Sequence, residues 1–445
     1  MRLVWSLAFV IAMAGAVACS SREDDPTPTV TAGQTPTTDA ATPEDTAVPE
    51  QTPTAGPELP AALQEVMERV AELRHLEPLP GLNAELVARP DLPALLDRLL
   101  TEDDRALMAQ TTTLYRLLGH FREDQDYLSI YQSFGAESIL GLYSPMHDTL
   151  WVVYDGEEPT FELLSPSEEE TLAHEFVHAL QDYHFDLDGT YDRVGHEMDR
   201  GLAWISVVEG DASVHDREYS DRYLLRPGAG RLFAFGVVAQ VPDVPLTFIR
   251  ELLFPYTTGA TWVDGLIQSQ GVEYIDELLV EPPVGTICVL HAQRCLDGFE
   301  PVEVQLPDLT AGLGTGWSRE SGGTLGEFHL GNFLDVELSA RDAQLAADGW
   351  TGDRYDVYAS DDGTAAVLAI EFADGDEAAE FEAALVELVE DRDGQWSGSS
   401  PRRAVTDDGR GFVYAMQGAT GIVLAIGSDA DIAERAMEVL QEGTP

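Results

Sequence analysis

The sequence predicts an α+β protein, and two observations support this class. From residue 59 to about residue 223, apolar residues recur mainly at helical spacing. The last hundred residues repeat the order strand, strand, helix, with "VLAI" at both 367–370 and 423–426. A repeat of this kind indicates a ββα duplication built on an antiparallel sheet. We therefore expect one globular domain at 59–338 and a C-terminal α+β domain at 339–445.

The first 58 residues resemble an export signal followed by a tether. Arg2 precedes an apolar run of about fifteen residues, which is short for a membrane span. Ala16 and Ala18 form a cleavage site, so 1–18 is a predicted signal peptide, and Cys19 occupies the position of a lipoprotein cysteine. Residues 19–58, rich in Thr, Pro, Ala and acids, should stay disordered. We expect an exported protein on the extracytoplasmic cell surface, attached to the membrane through lipidated Cys19; cleavage without lipidation is the alternative.

The net charge limits the partners of this chain. Eighty acidic residues face 25 basic ones, all of them Arg, for a net charge of −55. This balance excludes nucleic acid, because phosphates require clustered cations. Two explanations remain open: an acidic bias of a whole proteome, as in a high-salt habitat, or a specific role for this protein.

The individual elements follow from local signals. Thr101 is a predicted N-cap with acids in the first turn after it, and Ser165 or Ser167 is a predicted N-cap for a later helix. Two β-rich runs around Ser144-Pro145 predict a hairpin at 138–153. The predicted helices are 59–76, 90–100, 101–121, 165–185 and about 197–223, and the region 240–335 is mixed and rich in turns.

The clearest functional motif is an HExxH on the predicted helix 165–185, formed by His174, Glu175 and His178. Residues i and i+4 of a helix share one face, so both imidazoles can bind one metal ion. Glu175 can then reach a water on that ion. The uncharged flanking residues indicate a buried helix. The motif predicts a Zn²⁺ site; the alternative is two histidines packed against polar groups of the core.

A catalytic zinc site needs a third protein ligand, and the sequence offers two. His184 follows His178 at the metzincin spacing, but Gln181 replaces the Gly that would turn the chain back. If the helix continues, His184 lies about 240° round from His178 and points away. Glu209, among apolar residues on the next long helix, is therefore the favoured ligand. Gln181, Asp182, His184 and Asp211 are candidates for holding the ligand imidazoles, with Asp211 favoured.

The motifs "HEFVH" and "VVEGDA" resemble those of the gluzincin clan of zinc peptidases. "GLYSPMHDTLWVV" is similar to the edge strand that lies beside the substrate in that clan. The resemblance implies a zincin-like (thermolysin-like) metallopeptidase fold for 59–338. Further segments resemble uncharacterised prokaryotic exported proteins and lipoproteins, so the similarity extends over most of the chain beyond Leu59. Ile287 and Cys288 depart from the PPxSTEQxLH pattern of those relatives.

The implied activity is hydrolysis of a peptide or protein substrate. Zinc would activate a water, Glu175 would act as general base, and a further donor would stabilise the oxyanion. The candidates for that donor are His291, His215, Tyr219, Tyr223 and Tyr256, and the sequence does not choose among them. A second hypothesis is a non-catalytic surface binding protein on a zincin scaffold, with the ββα repeats as the recognition unit.

Cys288 and Cys295 are the cysteines that remain if Cys19 is acylated. In an exported chain they favour a disulfide that closes a short loop. A soft-metal site is less favoured, since no further cysteine exists to complete it.

Overall fold

The computed structural model describes residues 59–156, 164–224 and 243–443, which form a mixed α+β protein. The predicted signal peptide, Cys19 and the tether up to residue 58 lie outside the described residues. Among the residues that are described, no helix combines the length and the apolar character needed to cross a bilayer.

The chain from residue 59 to 224 is largely helical; the five predicted helices are present, and the helices at Tyr127–Ser138 and Leu187–Val194 were not predicted. In chain order the helices are α1 (Ala61–Arg74), α2 (Leu92–Leu99), α3 (Glu102–Leu118), α4 (Tyr127–Ser138), α5 (Pro166–Phe185), α6 (Leu187–Val194) and α7 (Met198–Tyr223). Thr101 caps α3, and Ser165 caps α5, each within a capping box. Helix α5 continues past Gln181 and ends at Asp186, which has the left-handed φ of 53°.

A three-stranded sheet packs against α5 of this helical part of the chain. Its strands are β1 (Asn83–Ala88), β2 (Gly141–Ser144) and β3 (Thr149–Tyr154), in the order β1-β3-β2. The antiparallel pair β2–β3 is the predicted hairpin, while β1 pairs with β3 in parallel and was not predicted. Strand β2 therefore lies at one edge of the sheet, next to α5.

The region after residue 243 is more helical than the predicted turn-rich segment. Its helices are α8 (Leu246–Phe254), α9 (Ala260–Gln270), α10 (Val272–Val280), α11 (Ile287–Leu290), α12 (Ala292–Leu296), α13 (Thr310–Leu313), α14 (Gly326–Leu334) and α15 (Ala340–Ala347). A π-helical turn, Pro255–Gly259, joins α8 to α9. Cys288 and Cys295 form a disulfide bond between α11 and α12.

The C-terminal part is an antiparallel sheet of six strands with two helices. The strands are β4 (Ser318–Gly323), β5 (Trp350–Ser360), β6 (Gly363–Phe372), β7 (Arg402–Val405), β8 (Gly411–Gln417) and β9 (Gly421–Gly427), in the order β4-β5-β6-β9-β8-β7. The helices are α16 (Gly375–Asp391) and α17 (Ala430–Gly443). The elements β5-β6-α16 and β8-β9-α17 are the two predicted ββα units, and β6 pairs with β9 at the centre.

Both faces of this sheet are covered, because side chains alternate along each strand. Ala366 and Leu368 of β6 pack in the core that the sheet shares with α16 and the helices before residue 350. Val367 and Ala369 pack in a second core under α17. Strand β4 precedes the predicted domain boundary at 338 but pairs with β5 beyond it, so the sheet extends across that boundary.

Candidate metal centre

Packing of α5 on α7 brings the three favoured ligands together. His174 Nε2 lies 3.1 Å from His178 Nε2 and 3.3 Å from Glu209 Oε2. His178 Nε2 lies 3.4 Å from the same Glu209 oxygen. All three side chains are buried, and their ligand atoms form a group that could hold a metal ion. The three atoms form a nearly equilateral triangle, with one vertex from each residue.

The hydrogen bonds behind the imidazoles determine which ring nitrogens face this triangle. His174 Nδ1 lies 3.0 Å from Asp216 Oδ2, and a carboxylate can only accept, so this Nδ1 donates. Gln181 Nε2 donates to Val208 O and to Asp211 Oδ2, which leaves Oε1 of that amide to accept from His178 Nδ1 at 2.9 Å. Both Nε2 atoms are therefore available as ligands, as in metal sites where the second ring nitrogen is hydrogen-bonded.

Three acceptor atoms at these distances repel one another unless a cation lies among them. Burial by itself lowers the pKa of His174, but the hydrogen bonds to Asp216 and Glu209 outweigh burial and raise it to about 10. Burial raises the pKa of Glu209, but the nearby His178 and His174 lower it to about 2. The group thus has a strong affinity for positive charge, and a proton on His174 and a metal ion would compete for it.

The dimensions and the chemistry of the group fit zinc. With metal–ligand distances of about 2.0–2.1 Å, the edges of a tetrahedron measure about 3.3–3.4 Å, close to those of this triangle. Two imidazoles and one carboxylate are a ligand set of catalytic zinc sites. In addition, Glu209 Oε1 is buried and has no hydrogen-bond partner among the described residues. A buried, unpaired carboxylate oxygen is costly, and a bound cation would offset that cost.

Glu175 is oriented by the edge strand β2. The backbone N–H of Tyr143 donates to Glu175 Oε2 at 2.9 Å, and Glu175 Oε1 is buried without a partner among the described residues. A Cβ at Gly141 would lie 3.2 Å from Glu175 Cγ and 2.9 Å from Thr171 Cγ2, so glycine lets the strand approach α5 closely. Burial raises the pKa of Glu175 to about 8, against the opposing effect of His174.

Tyr256 reaches the same group from the π-helical turn. Its ring is stacked on His174, with 6.2 Å between the centroids. Burial, followed by the charge of the nearby Glu209, raises the pKa of Tyr256 well above its usual value. The turn approaches α7 closely because Gly210 and Gly259 face each other's helix: a Cβ at Gly210 would lie 2.9 Å from Gly259 O. Among the predicted oxyanion donors, Tyr256 is therefore the one whose ring stacks on a ligand imidazole.

A chain of buried polar groups supports His178 from behind. Gln181 bonds His178 and also donates to Asp211 Oδ2 at 2.8 Å. Arg74 of α1 donates to the same Asp211 oxygen at 2.8 Å, and both side chains are fully buried. Arg74 also pairs with Asp276 of α10. Helix α1 is thus part of the support of the site.

Three candidate residues, His184, Asp211 and His291, form no direct hydrogen bond to the ligand imidazoles among the described residues. His184 is not next to the ligand imidazoles: α5 continues through it, and its Nε2 bonds the carbonyl of Glu77 at 2.8 Å. The helix rotation that removes it from the ligand face also removes it from a supporting role. Asp211 supports His178 only through Gln181, since it lies one hydrogen bond further out.

His291 belongs to a different group. Its Nε2 lies 2.8 Å from Glu327 Oε1 and 3.2 Å from Asp348 Oδ1. Arg294 lies 3.1 Å from Asp348 and Gln344 lies 3.1 Å from Glu327 Oε1, while Glu327 Oε2 is buried without a hydrogen-bond partner among the described residues. This group is an ion-pair network between α12, α14 and the end of α15.

Asp216 and Arg74 were not predicted from the sequence. Asp216 follows Glu209 by seven residues, which is two turns along the same face of α7, and that spacing could have revealed it. Arg74 offers no comparable signal, because it lies at the end of an amphipathic helix where an exposed Arg is the ordinary expectation.

Comparison with known proteins adds little about the site. Residues 315–436 match the model of a family described as "Domain of unknown function (DUF8575)". This stretch contains the six-stranded sheet and lies outside the metal centre. The comparisons with curated proteins and with solved structures each found no match.

Proposed function

We propose that the protein is a zinc-dependent peptidase of the gluzincin type, with a zincin-like fold around α5 and α7. The observation that supports it best is the convergence of His174 Nε2, His178 Nε2 and Glu209 Oε2 within 3.1–3.4 Å, together with a buried Glu175 oxygen that has no hydrogen-bond partner among the described residues. The edge strand β2, which contacts Glu175 through a backbone N–H, is a further feature in favour.

In this proposal His174, His178 and Glu209 hold the zinc ion, and Asp216 and Gln181 orient the two imidazoles. A zinc ion bound there would lower the pKa of a water toward about 7 and polarise the scissile carbonyl. Glu175 Oε1 would act as the general base for the attacking water and would pass the proton to the leaving amine, while the Tyr143 N–H holds Oε2. Tyr256 donates its hydroxyl proton in a hydrogen bond to the developing oxyanion.

The first test combines zinc stoichiometry with digestion of a broad peptide library. We expect one zinc per chain and cleavage that Glu175→Gln reduces by about 10²–10⁴-fold without loss of zinc. Glu209→Ala should empty the site. His184→Ala should leave zinc bound, because His184 lies on α5 with the two ligand histidines but points away from them. Equal cleavage by the wild type and Glu175→Gln would refute the mechanism, and zinc loss in His184→Ala would favour the metzincin-like alternative.

The role of Tyr256 has a separate test. Tyr256→Phe removes one hydroxyl and should lower kcat by about 10²-fold with little change in KM or zinc content. Tyr219→Phe is the matched control, because Tyr219 is a buried tyrosine of α7 whose hydroxyl bonds Glu169. An unchanged kcat in Tyr256→Phe would exclude Tyr256 as the oxyanion donor.

The alternative, a surface binding protein on the same scaffold, keeps one observation in its favour. His174 is 4% exposed, and Glu175, His178 and Glu209 are 0% exposed within the described residues. A metal held there without access for a peptide would be structural. Zinc retained at one per chain with no cleavage in any library peptide would support this alternative, and so would a metal-free protein with its ligands intact.

The proposed location, the extracytoplasmic face of a membrane, follows from the sequence of residues 1–58. Mass spectrometry of the mature N-terminus tests it. A diacylglycerol-modified Cys19 that shifts to the unmodified mass in Cys19→Ser would support lipid anchoring, and an unmodified cysteine in the wild type would contradict it.

A further inference from the structure

The described residues form a cavity next to the metal centre. Its walls come from α3, α4, α7 and α8, and from Ser321 and Tyr355 in the six-stranded sheet. Its volume is about 70 Å³. A single water needs about 10–15 Å³ on this scale, so a side chain of several heavy atoms fits. The six-stranded sheet thus contributes part of the wall of a cavity that is otherwise lined mainly by helices.

The cavity shares two walls with the metal centre. Leu202 and Ile205, which line it, precede Glu209 by seven and four residues on the same face of α7. Four residues of helix correspond to about 6 Å. Pro255 also lines the cavity and directly precedes Tyr256. A group bound in the cavity would therefore lie one to two helical turns from Glu209 along α7.

The lining is mainly apolar and aromatic, with Gln110, Thr111, His196 and Ser321 as further polar side chains and Glu251 as its one carboxylate. Tyr127, Tyr131, Phe248 and Tyr355 contribute aromatic rings. Glu251 contributes the charge: Tyr115 OH donates to its Oε2 at 2.5 Å, and no arginine or histidine of the described residues pairs with it. Burial raises the pKa of Glu251 to about 7, against the opposing hydrogen bond from Tyr115. A cation in the cavity would give this carboxylate the partner that it lacks.

We propose that this cavity binds the side chain of a Lys or Arg of the substrate, with the alkyl stem against the apolar wall and the cationic end at Glu251. The assignment of this side chain to a substrate rests on the proposed peptidase function, whereas the binding of a basic side chain in the cavity does not. Aromatic rings favour such a cation as well. The net charge of −55 also favours basic peptides, since it attracts cations at long range.

The chemistry separates a basic side chain from its competitors. A neutral side chain of equal length fills the apolar wall but leaves Glu251 unpaired, and an acidic one is repelled. Three probes represent these cases: the N-acetyl methylamides of lysine, norleucine and glutamate. Their dissociation constants can be measured by NMR titration of the wild-type protein with zinc present, in about 150 mM salt to screen the general charge attraction.

We expect the lysine probe to bind at least about tenfold more tightly than the norleucine probe, which corresponds to about 1.4 kcal/mol. Glu251→Gln should bring this ratio to about one. Glu277→Gln, which removes the same charge from an exposed position of α10, should preserve it. Thr111→Phe narrows the cavity without a change of charge and should weaken the binding of the lysine probe. It provides a second variant if Glu251→Gln is unstable.

Equal binding of the three probes to the wild type would overturn the proposal, and so would a lysine preference that persists in Glu251→Gln. The peptidase function fails in a different way: lysine preference without cleavage of any library peptide would support the cavity assignment and contradict the catalytic one.

Discussion

The metal centre and the C-terminal sheet are both buried, but they are buried in opposite ways. Around His178 the interior contains charged and polar side chains, each joined to the next by a hydrogen bond as far as Arg74. In the sheet, β6 and β9 contribute alternating small and branched apolar residues to two cores. Buried charge is costly without a partner, so its concentration in one region indicates that the region has a function beyond packing.

The largest effect should come from a break in the polar chain. Arg74→Met leaves Asp211 buried without its cation and should lower the free energy of unfolding by about 3–5 kcal/mol. Denaturant unfolding measures this loss. Arg403→Met in the sheet is the control, because Arg403 forms an exposed pair with Glu434 worth about 1 kcal/mol or less. If Asp211→Asn does not recover part of the loss in the double variant, the uncompensated charge is not the cause.

A comparable loss of stability in the sheet should have a different consequence. Leu368 is fully buried on β6, and Leu368→Ala should cost about 2–5 kcal/mol through the lost contacts and the cavity left behind. Zinc affinity, measured by competition with a chelator under native conditions, should change less than twofold. A parallel fall in zinc affinity would mean that the two regions are coupled and would break the comparison.

Asp216 should affect zinc more than stability. Asp216→Asn weakens the hydrogen bond that orients His174 and should reduce zinc affinity by about 10–100-fold while the protein stays folded. Chelator competition measures the affinity, and circular dichroism checks the fold. Asp264→Asn, at an exposed ion pair with Arg217, is the control. Unchanged zinc affinity in Asp216→Asn would remove Asp216 from the support of the site.

The smallest effect concerns the pH dependence of the free energy of unfolding through His120, which follows the end of α3. His120 bonds Thr247, and burial together with Arg392 lowers its pKa to about 3. The unfolded chain binds a proton near pH 6.5 while the folded one does not, so this contribution to stability is present above pH 6.5 and is lost as the pH falls. Between pH 6.5 and 5.5 the loss should be about 1 kcal/mol.

The variant His120→Asn isolates this contribution from those of other groups. Its free energy of unfolding should fall less steeply than that of the wild type over the same pH interval, as denaturant titrations at each pH would measure. Identical slopes for the two proteins would show that the pKa of His120 is the same in the folded and unfolded states.

Local sequence signals predicted most of the elements, because those signals act within a few residues. The capping boxes of α3 and α5, the hairpin β2–β3 and the two ββα units are examples. Strands β1, β4 and β7 were missed. They are short strands at sheet edges, and β4 has the sequence SRESGG, so neither apolar alternation nor β propensity marks it.

The sequence predicted the relative positions of the candidate side chains where one helix determines the geometry, and it predicted them incompletely where several helices meet. The spacing of His174 and His178 fixes their common face, and the lack of a glycine at 181 correctly implied that α5 continues past it. Tyr256 was one candidate among several until the π-helical turn brought it against His174. Glu251 was not predicted, because its lack of a charged partner among the described residues depends on how the surrounding helices pack.

The sequence by itself determined which residues can act: an HExxH face, one carboxylate on the next long helix, and a duplicated ββα unit, all readable because helical and strand periodicities are local. Only the tertiary structure decided how those residues are oriented and supported. The hydrogen bonds of Asp216 to His174 and of Tyr143 to Glu175, and the buried ion pair of Arg74 with Asp211, join elements far apart in the chain, and local periodicity does not specify which residues such contacts bring together.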